Sequence, residues 1–279
     1  MPNDVREGES PPGLAPAFIG PCRWLLALDY DGTLRSADLD SPAPIDPGFF
    51  GLMLRLRNLG VRWGVNTGRD LPYFWEDFSQ DSPFLPDFIC TCERYVYMAD
   101  DEGRLQPAAE HNEQAELATL ELRNALTAPY GEFMNALRHR YPTLLWRFSH
   151  TDPLSIEAED VDTMNILADL IAPFLNAWDN VAMQRAGRYM RLSDARFNKG
   201  TALQYVAARW NVAQDHVAMV GDGHNDLDMF RAFPGGFCAA PGEAHPEVLD
   251  FLQSHGGFIA PRGGFMEALQ HWRKHVLSR

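Results

Sequence analysis

Two aspartates stand two residues apart in LALDYDGTL, Leu26 to Leu34, where an apolar run gives way to a glycine turn. Either alone is an ordinary turn residue. Two carboxylates aimed at one point repel each other, and they suit proton transfer or cation binding. Further polar clusters close other apolar runs: Thr67 in VNTGR, and Asp222, Asn225 and Asp226 in VGDGHND. Taken singly, each reads as a turn, a helix entry or a helix cap. Taken together, like charges at one edge would cost roughly 4 kcal/mol per pair at about 4 Å and an effective dielectric near 20. Such a cluster holds either protons or a cation. Its all-oxygen donors suit Mg2+ better than zinc. Neither acidic run has the glycine and distal glutamate of an EF-hand loop.

The elements that must position these residues read as α/β. Trp24 to Tyr30 is nearly all apolar, the pattern of a strand covered on both faces. Asp46-Pro47 offers a cap and a first-turn proline for a helix over Phe49 to Leu59, closed by Gly60, and Val61 to Asn66 is the next strand. This β-α-β order predicts a parallel, Rossmann-like sheet with right-handed crossovers. Ligands of such sheets bind beyond the carboxyl ends of the strands, where the polar clusters fall. The grammar returns late: a helix over Lys199 to Trp210, strands at His216 to Val220, Gly236 to Ala239 and Gly257 to Ala260, and a helix from about Phe265.

The middle differs. Helical stretches at Tyr130 to Tyr141 and Val161 to Ala177 alternate with strand pairs: Leu144 to Ser149 with Leu154 to Ala158, and Val181 to Arg185 with Tyr189 to Leu192. That order suits an antiparallel sheet with helices on one face, an α+β module inserted into the α/β core. The expected division is a loose tail over 1–20, a core from 21–90 plus 189–279, and an inserted α+β domain over 91–188.

With 279 residues, 46% of them hydrophobic, the chain can bury a large core. A net charge of -14 and the lack of a basic run with interleaved aromatics argue against nucleic acid as a partner. Of the four cysteines, Cys90 and Cys92 form a C-x-C without a second pair at zinc spacing, and read as thiols of a reduced protein. The N-terminus lacks the pattern of a signal peptide and no apolar segment approaches membrane-spanning length, so a cytoplasmic protein without a membrane partner is expected.

DYDGTL, NTGR, Lys199-Gly200 and GDGHND occur in the order found in phosphatases of the haloacid dehalogenase superfamily. The chain after Gly20 most resembles the subgroup with an α/β cap between the second and third motifs, the Cof-like and sucrose-phosphatase-like enzymes. The resemblance implies that Asp29 is a nucleophile forming an aspartyl phosphate, and that Asp31 first protonates the leaving alcohol and then activates water. It implies Mg2+ as cofactor, held by the Asp29 carboxylate, the Asp31 backbone carbonyl and Asp222. Thr67, Gly68 and Lys199 would bind the phosphoryl group, Asn225 would contact the phosphate or a metal-bound water, and Asp226 would orient Lys199 or the waters of the metal. One departure is the turn Cys92-Glu93-Arg94-Tyr95, where relatives commonly carry Asn-Gly.

The cap would select a small phosphorylated substrate, with Arg147, His150, Arg185 and Arg188 as candidates to grip an anionic group or sugar hydroxyls. Exposed arginines on a solvated face are the plainer reading of each. The expected activity is a Mg2+-dependent phosphomonoesterase acting on a sugar or polyol phosphate. The alternatives are a sugar phosphomutase with the same core chemistry, or a binding module without catalysis. A degenerate binding module should have lost a motif residue, and Asp29, Asp31, Thr67, Lys199 and Asp222 are all present.

Overall fold

The apolar run WLLAL forms β1 (Trp24–Leu28), with Leu25 to Leu28 fully buried. Each buried leucine contributes about 2 kcal/mol of apolar burial. The computed structural model describes residues 11, 13–35, 43–142, 145–147, 154–175, 180–261, 264–275 and 277. α1 (Pro47–Arg57) begins as its residues dictate: the Gly48 N–H donates to the Asp46 carboxylate at 2.7 Å, and Pro47 opens the first turn. β2 (Val61–Asn66), α2 (Leu71–Asp81) and β3 (Phe88–Thr91) follow, then a hairpin of β4 (Tyr95–Ala99) and β5 (Leu105–Pro107). After α3 (Ala109–Arg140) come β6 (Leu145–Arg147), β7 (Leu154–Glu157), α4 (Val161–Leu175), β8 (Val181–Ala186) and β9 (Tyr189–Asp194). The chain ends with α5 (Lys199–Arg209), β10 (Val217–Val220), α6 (Leu227–Ala232), β11 (Phe237–Pro241), α7 (Pro246–His255), β12 (Phe258–Ala260) and α8 (Gly264–His275).

Two compact units result. One takes the chain up to His111 and from Lys199 onward, the other Asn112–Asn198. The larger is an α/β unit whose sheet runs β12-β11-β10-β1-β2-β3-β4-β5, parallel except for the two hairpin strands. One face is covered by Phe49, Phe74, Phe78, Leu269 and Trp272 of α1, α2 and α8. Leu203 and Val206 of α5, Phe230 of α6 and Leu252 of α7 cover the other. The smaller unit is an antiparallel sheet, β6-β7-β9-β8, whose Ile156, Met190 and Leu192 pack with Met164, Leu167 and Ile171 of α4.

Several boundaries differ from the sequence reading. Residues 13–20 are no loose tail: the Ala15 N–H donates to the Pro83 carbonyl, Ala17 is buried, and the Phe18 N–H donates to Asp87 at 2.8 Å. Residues 1–10 and 12 lie outside the described residues. The stretch from Thr91 does not open the inserted unit, because Tyr95–Ala99 pairs antiparallel with Phe88–Thr91 and buries Val96 in the main core. At the other end Tyr189–Asp194 is a central strand of the smaller sheet and not part of the core. The helix expected from Tyr130 begins at Ala109. Among the described residues, no helix is long and apolar enough to cross a membrane.

Candidate active site

Three neighbouring strands, β2, β1 and β10, deliver the polar clusters to one sheet edge. Leu28 stands beside Val65 on one side and Val220 on the other, so the residues that follow each strand emerge at the same level. The Asp29 N–H continues the ladder to the Val220 carbonyl, after which the chain folds back through Asp31 to Arg35. Thr67 leaves β2 with its own N–H on the Cys90 carbonyl.

Lys199 opens α5 and is fully buried, its ammonium 2.5 Å from Asp29 Oδ1 and 2.6 Å from Asp226 Oδ1. Burial works against that ammonium, yet Asp226, Asp29 and Glu93 together raise its pKa above the ordinary lysine value. Burial likewise pushes the Asp29 carboxyl well up, Asp226 adds to the rise, and Lys199 opposes it. The Asn66 amide donates to the Lys199 carbonyl at 2.8 Å and fixes the helix start. Gly200 admits α6 alongside, since a Cβ there would meet the Asp228 carbonyl oxygen at 2.3 Å.

Asp222 approaches from β10. Gly32, at φ 83°, makes room for it: a Cβ at that position would lie 2.2 Å from Asp222 Oδ2. Thr33 donates its hydroxyl to Asp222 Oδ1 at 2.8 Å. Burial first, then Asp226, pushes the Asp222 carboxyl up to about 6. Asp29, Asp222 and Asp226 each place a carboxylate oxygen within 4.8 Å of the others. Both oxygens of Asp226 are engaged, one by Lys199 and the other by the Gly223 N–H at 2.9 Å. The donors that fit a hard cation are therefore Asp29 and Asp222, whose pKa values are raised by burial first and by neighbouring carboxylates second, costs that a divalent ion would offset.

Asp31, partly exposed, is held by an arginine to which the sequence reading gave no role. Arg69 sends Nε to Asp31 Oδ2 at 2.8 Å and Nη2 to Oδ1 at 2.6 Å. Its Nη1 reaches Asp77 of α2 at 2.6 Å, and its guanidinium carbon sits 4.8 Å from the Tyr30 ring centre and 4.3 Å from that of Tyr73. Thr67 Oγ1 accepts the Arg69 N–H at 3.1 Å, which leaves its own hydroxyl proton to point elsewhere. Gly68 between them is exposed.

Asn225 is buried and donates its amide to Glu93 Oε1 at 2.7 Å. Thus Asp29, Asp31, Thr67, Gly68, Lys199, Asp222, Asn225 and Asp226 share one edge of the larger unit. Thr33, Arg69 and Glu93 join them without having been singled out; the first two lie inside the quoted motifs, and Glu93 in the turn marked as a departure. The cap candidates belong to the other unit. Arg185 hydrogen-bonds Asn165 of α4 and pairs in register with Met190, which puts it on the helix-covered face of its sheet. Arg188 is half exposed, donating to the Glu159 carbonyl at 3.2 Å and facing Glu157 at 3.7 Å. Arg147 closes β6, while its side chain and the whole of His150 lie outside the described residues.

Residues 146–254 match the family model of haloacid dehalogenase-like hydrolases, a stretch that includes Lys199 and the Asp222–Asp226 loop. A phosphoglycolate phosphatase of Archaeoglobus fulgidus is 31% identical over 93 residues, 32% of this chain and 39% of the relative. Another from Methanothermobacter thermautotrophicus is 30% identical over 103 residues, 35% of this chain and 45% of the relative. The alignments thus span less than half the length of either curated relative. The sucrose-phosphatase of Synechocystis, solved with sucrose and phosphate, shares the fold at a TM-score of 0.66 and 17% identity, covering 91% of this chain and 98% of that one. The family model thus matches less than half of this chain, residues 146–254, and over that stretch and in its fold the chain is similar to haloacid dehalogenase-like hydrolases.

Proposed function

We propose that the protein is a Mg2+-dependent phosphomonoesterase that hydrolyses a small phosphorylated metabolite, a sugar or polyol phosphate, through an aspartyl phosphate on Asp29. The observation that carries this reading is the meeting of Asp29 and Asp222, from separate strands, beside a buried ammonium 2.5 Å from Asp29. Lys199 keeps the nucleophile oriented and offers positive charge where phosphoryl oxygens gather it in the transition state. Mg2+ on Asp29, Asp222 and the Asp31 backbone carbonyl would offset the repulsion between carboxylate and phosphate dianion.

Asp29 attacks phosphorus, the phosphorus–oxygen bond to the alcohol breaks, and Asp31 gives that alcohol its proton. Water then attacks the phosphorus of the aspartyl phosphate, and its proton passes back to Asp31 as inorganic phosphate leaves. The Thr67 hydroxyl, with its oxygen already accepting from Arg69, is set to donate to a phosphoryl oxygen. Arg69 takes one acceptor site on each oxygen of Asp31, and the proton to be delivered sits at a remaining one. Two relatives named phosphoglycolate phosphatases and a neighbour named sucrose-phosphatase support a small phosphorylated metabolite.

A panel of phosphate esters, assayed with Mg2+ and with EDTA, tests the reading. Stoichiometric release of inorganic phosphate from a sugar or polyol phosphate, lost in EDTA and restored by Mg2+, is expected. An isomerised ester without phosphate release would indicate a mutase, and no turnover across the panel would favour a binding module.

A further inference from the structure

We propose that Glu93 is a positioning residue: its carboxylate, delivered by a left-handed turn after β3, holds the Asn225 side-chain amide and fixes which end of that amide faces the Gly221–Asp226 loop. This deepens the phosphatase reading and rests on it for the kinetic part of its test. Cys92 and Glu93 take φ of 48° and 63° in succession, a conformation that residues with a Cβ rarely adopt. The turn is docked on the loop that carries Thr67. The Glu93 N–H donates to the Thr67 carbonyl at 2.9 Å, and the Cys92 N–H donates to the Arg69 carbonyl at 2.8 Å. From this anchorage the Glu93 side chain, only 3% exposed, reaches Asn225 across 132 positions of sequence.

The direction of the amide follows from chemistry. An ionised carboxylate only accepts, so the Asn225 nitrogen must face Glu93. The carbonyl oxygen then lies over Gly223, where a Cβ would meet it at 2.5 Å. Asn225 therefore turns an acceptor toward the loop that carries Asp222 and Asp226. An acceptor there suits a hydrogen bond from a water molecule and not a grip on a phosphoryl oxygen. Glu93 ties the Thr67–Arg69 loop, through its N–H, to the Asp222–Asp226 loop, through its carboxylate, and so couples the placement of the two.

The test uses the full chain, 15N-labelled and free of metal. The Asn225 side-chain amide pair is assigned by its disappearance in Asn225→Asp. In the wild type one proton of the pair is expected well apart from those of solvated amides and slow to exchange. Glu93→Gln, whose carbonyl oxygen still accepts, should keep that position; Glu93→Gly should move the pair to that of a free amide. Steady-state kinetics on a turned-over ester should show kcat down about 10-fold in Glu93→Gly with KM little changed, and within about 3-fold of wild type in Glu93→Gln. Thermal unfolding of Glu93→Gly should hold or rise, because glycine takes φ 63° without strain. Asn225→Ala, which leaves the turn intact, should reproduce the loss in kcat. An unmoved amide pair in Glu93→Gly, or a wild-type kcat in Glu93→Gly or Asn225→Ala, overturns the assignment. If no ester is turned over by the wild type, the phosphatase reading fails alone and the amide signal still decides the bond between Glu93 and Asn225.

Discussion

Arg69 holds Asp31 with two hydrogen bonds at once, Nε to Oδ2 at 2.8 Å and Nη2 to Oδ1 at 2.6 Å. A planar fork of this kind sets both the position and the rotation of a carboxylate, which a lysine ammonium cannot do. The fork is itself held between the rings of Tyr30 and Tyr73 and anchored on Asp77, which also forms an ion pair with Arg35 at 2.9 Å. The Arg69→Lys variant should therefore lose about 10–100-fold in kcat with a smaller change in KM. Steady-state kinetics on any accepted ester measure it, and an unchanged kcat would show that Asp31 does not depend on the fork.

Lys199 is the buried cation between two buried carboxylates. Removing one partner of such a group leaves uncompensated charge, at a cost of about 3–5 kcal/mol. Lys199→Met should lower unfolding stability by that amount in urea titration. Adding Asp226→Asn should return part of the loss, because one of the stranded carboxylates is then neutral. Strictly additive losses in the double variant would mean that the two side chains do not act as a pair.

Protons and Mg2+ should compete at Asp222. Its carboxyl is pushed from the ordinary 3.8 up to about 6 by burial and by Asp226. An acid with a raised folded value binds its proton more tightly in the folded chain, so it stabilises the fold in full at about pH 4 and below. That contribution is lost as pH rises through about 6. Asp29 and Asp226 are raised in the same sense, while the contribution of the raised Lys199 is fully present throughout this range and is lost only at alkaline pH. Melting temperature without metal should thus fall between about pH 4 and about pH 7 from these groups, and the gain on adding Mg2+ should be larger at about pH 7 than at about pH 5. An equal or larger gain at the lower pH would remove the carboxylates as the metal donors.

Much of the site could be read in the chain because its determinants are local. WLLAL, VRWGVN and VAMV are apolar runs that end in Asp29, Thr67 and Gly221-Asp222, and their parallel pairing follows from the helices between them. The grip of Arg69 was not legible, since an arginine after Thr-Gly looks like a surface residue until α2 supplies Tyr73 and Asp77. Glu93 was hidden for another reason: local preference opposes a glutamate at φ 63°, and the Asn225 that its carboxylate holds lies far away in the chain. The first part of α3 was missed because HNEQAELATLELRNAL is polar over most of its surface, and no strong apolar stripe announces it. The hairpin after β3 was assigned to the insertion because its pairing with Phe88–Thr91 is a tertiary fact.

The central claim is that Asp29 itself becomes phosphorylated. The most direct measurement is rapid acid quench of the enzyme with Mg2+ and an accepted ester, followed by peptide mapping by mass spectrometry. The mechanism requires a phosphoryl group on the peptide carrying Asp29, absent from Asp29→Asn, which should remain folded and turn nothing over. Phosphate released at the wild-type rate by Asp29→Asn, or a phosphoryl group trapped on a different residue, would contradict it.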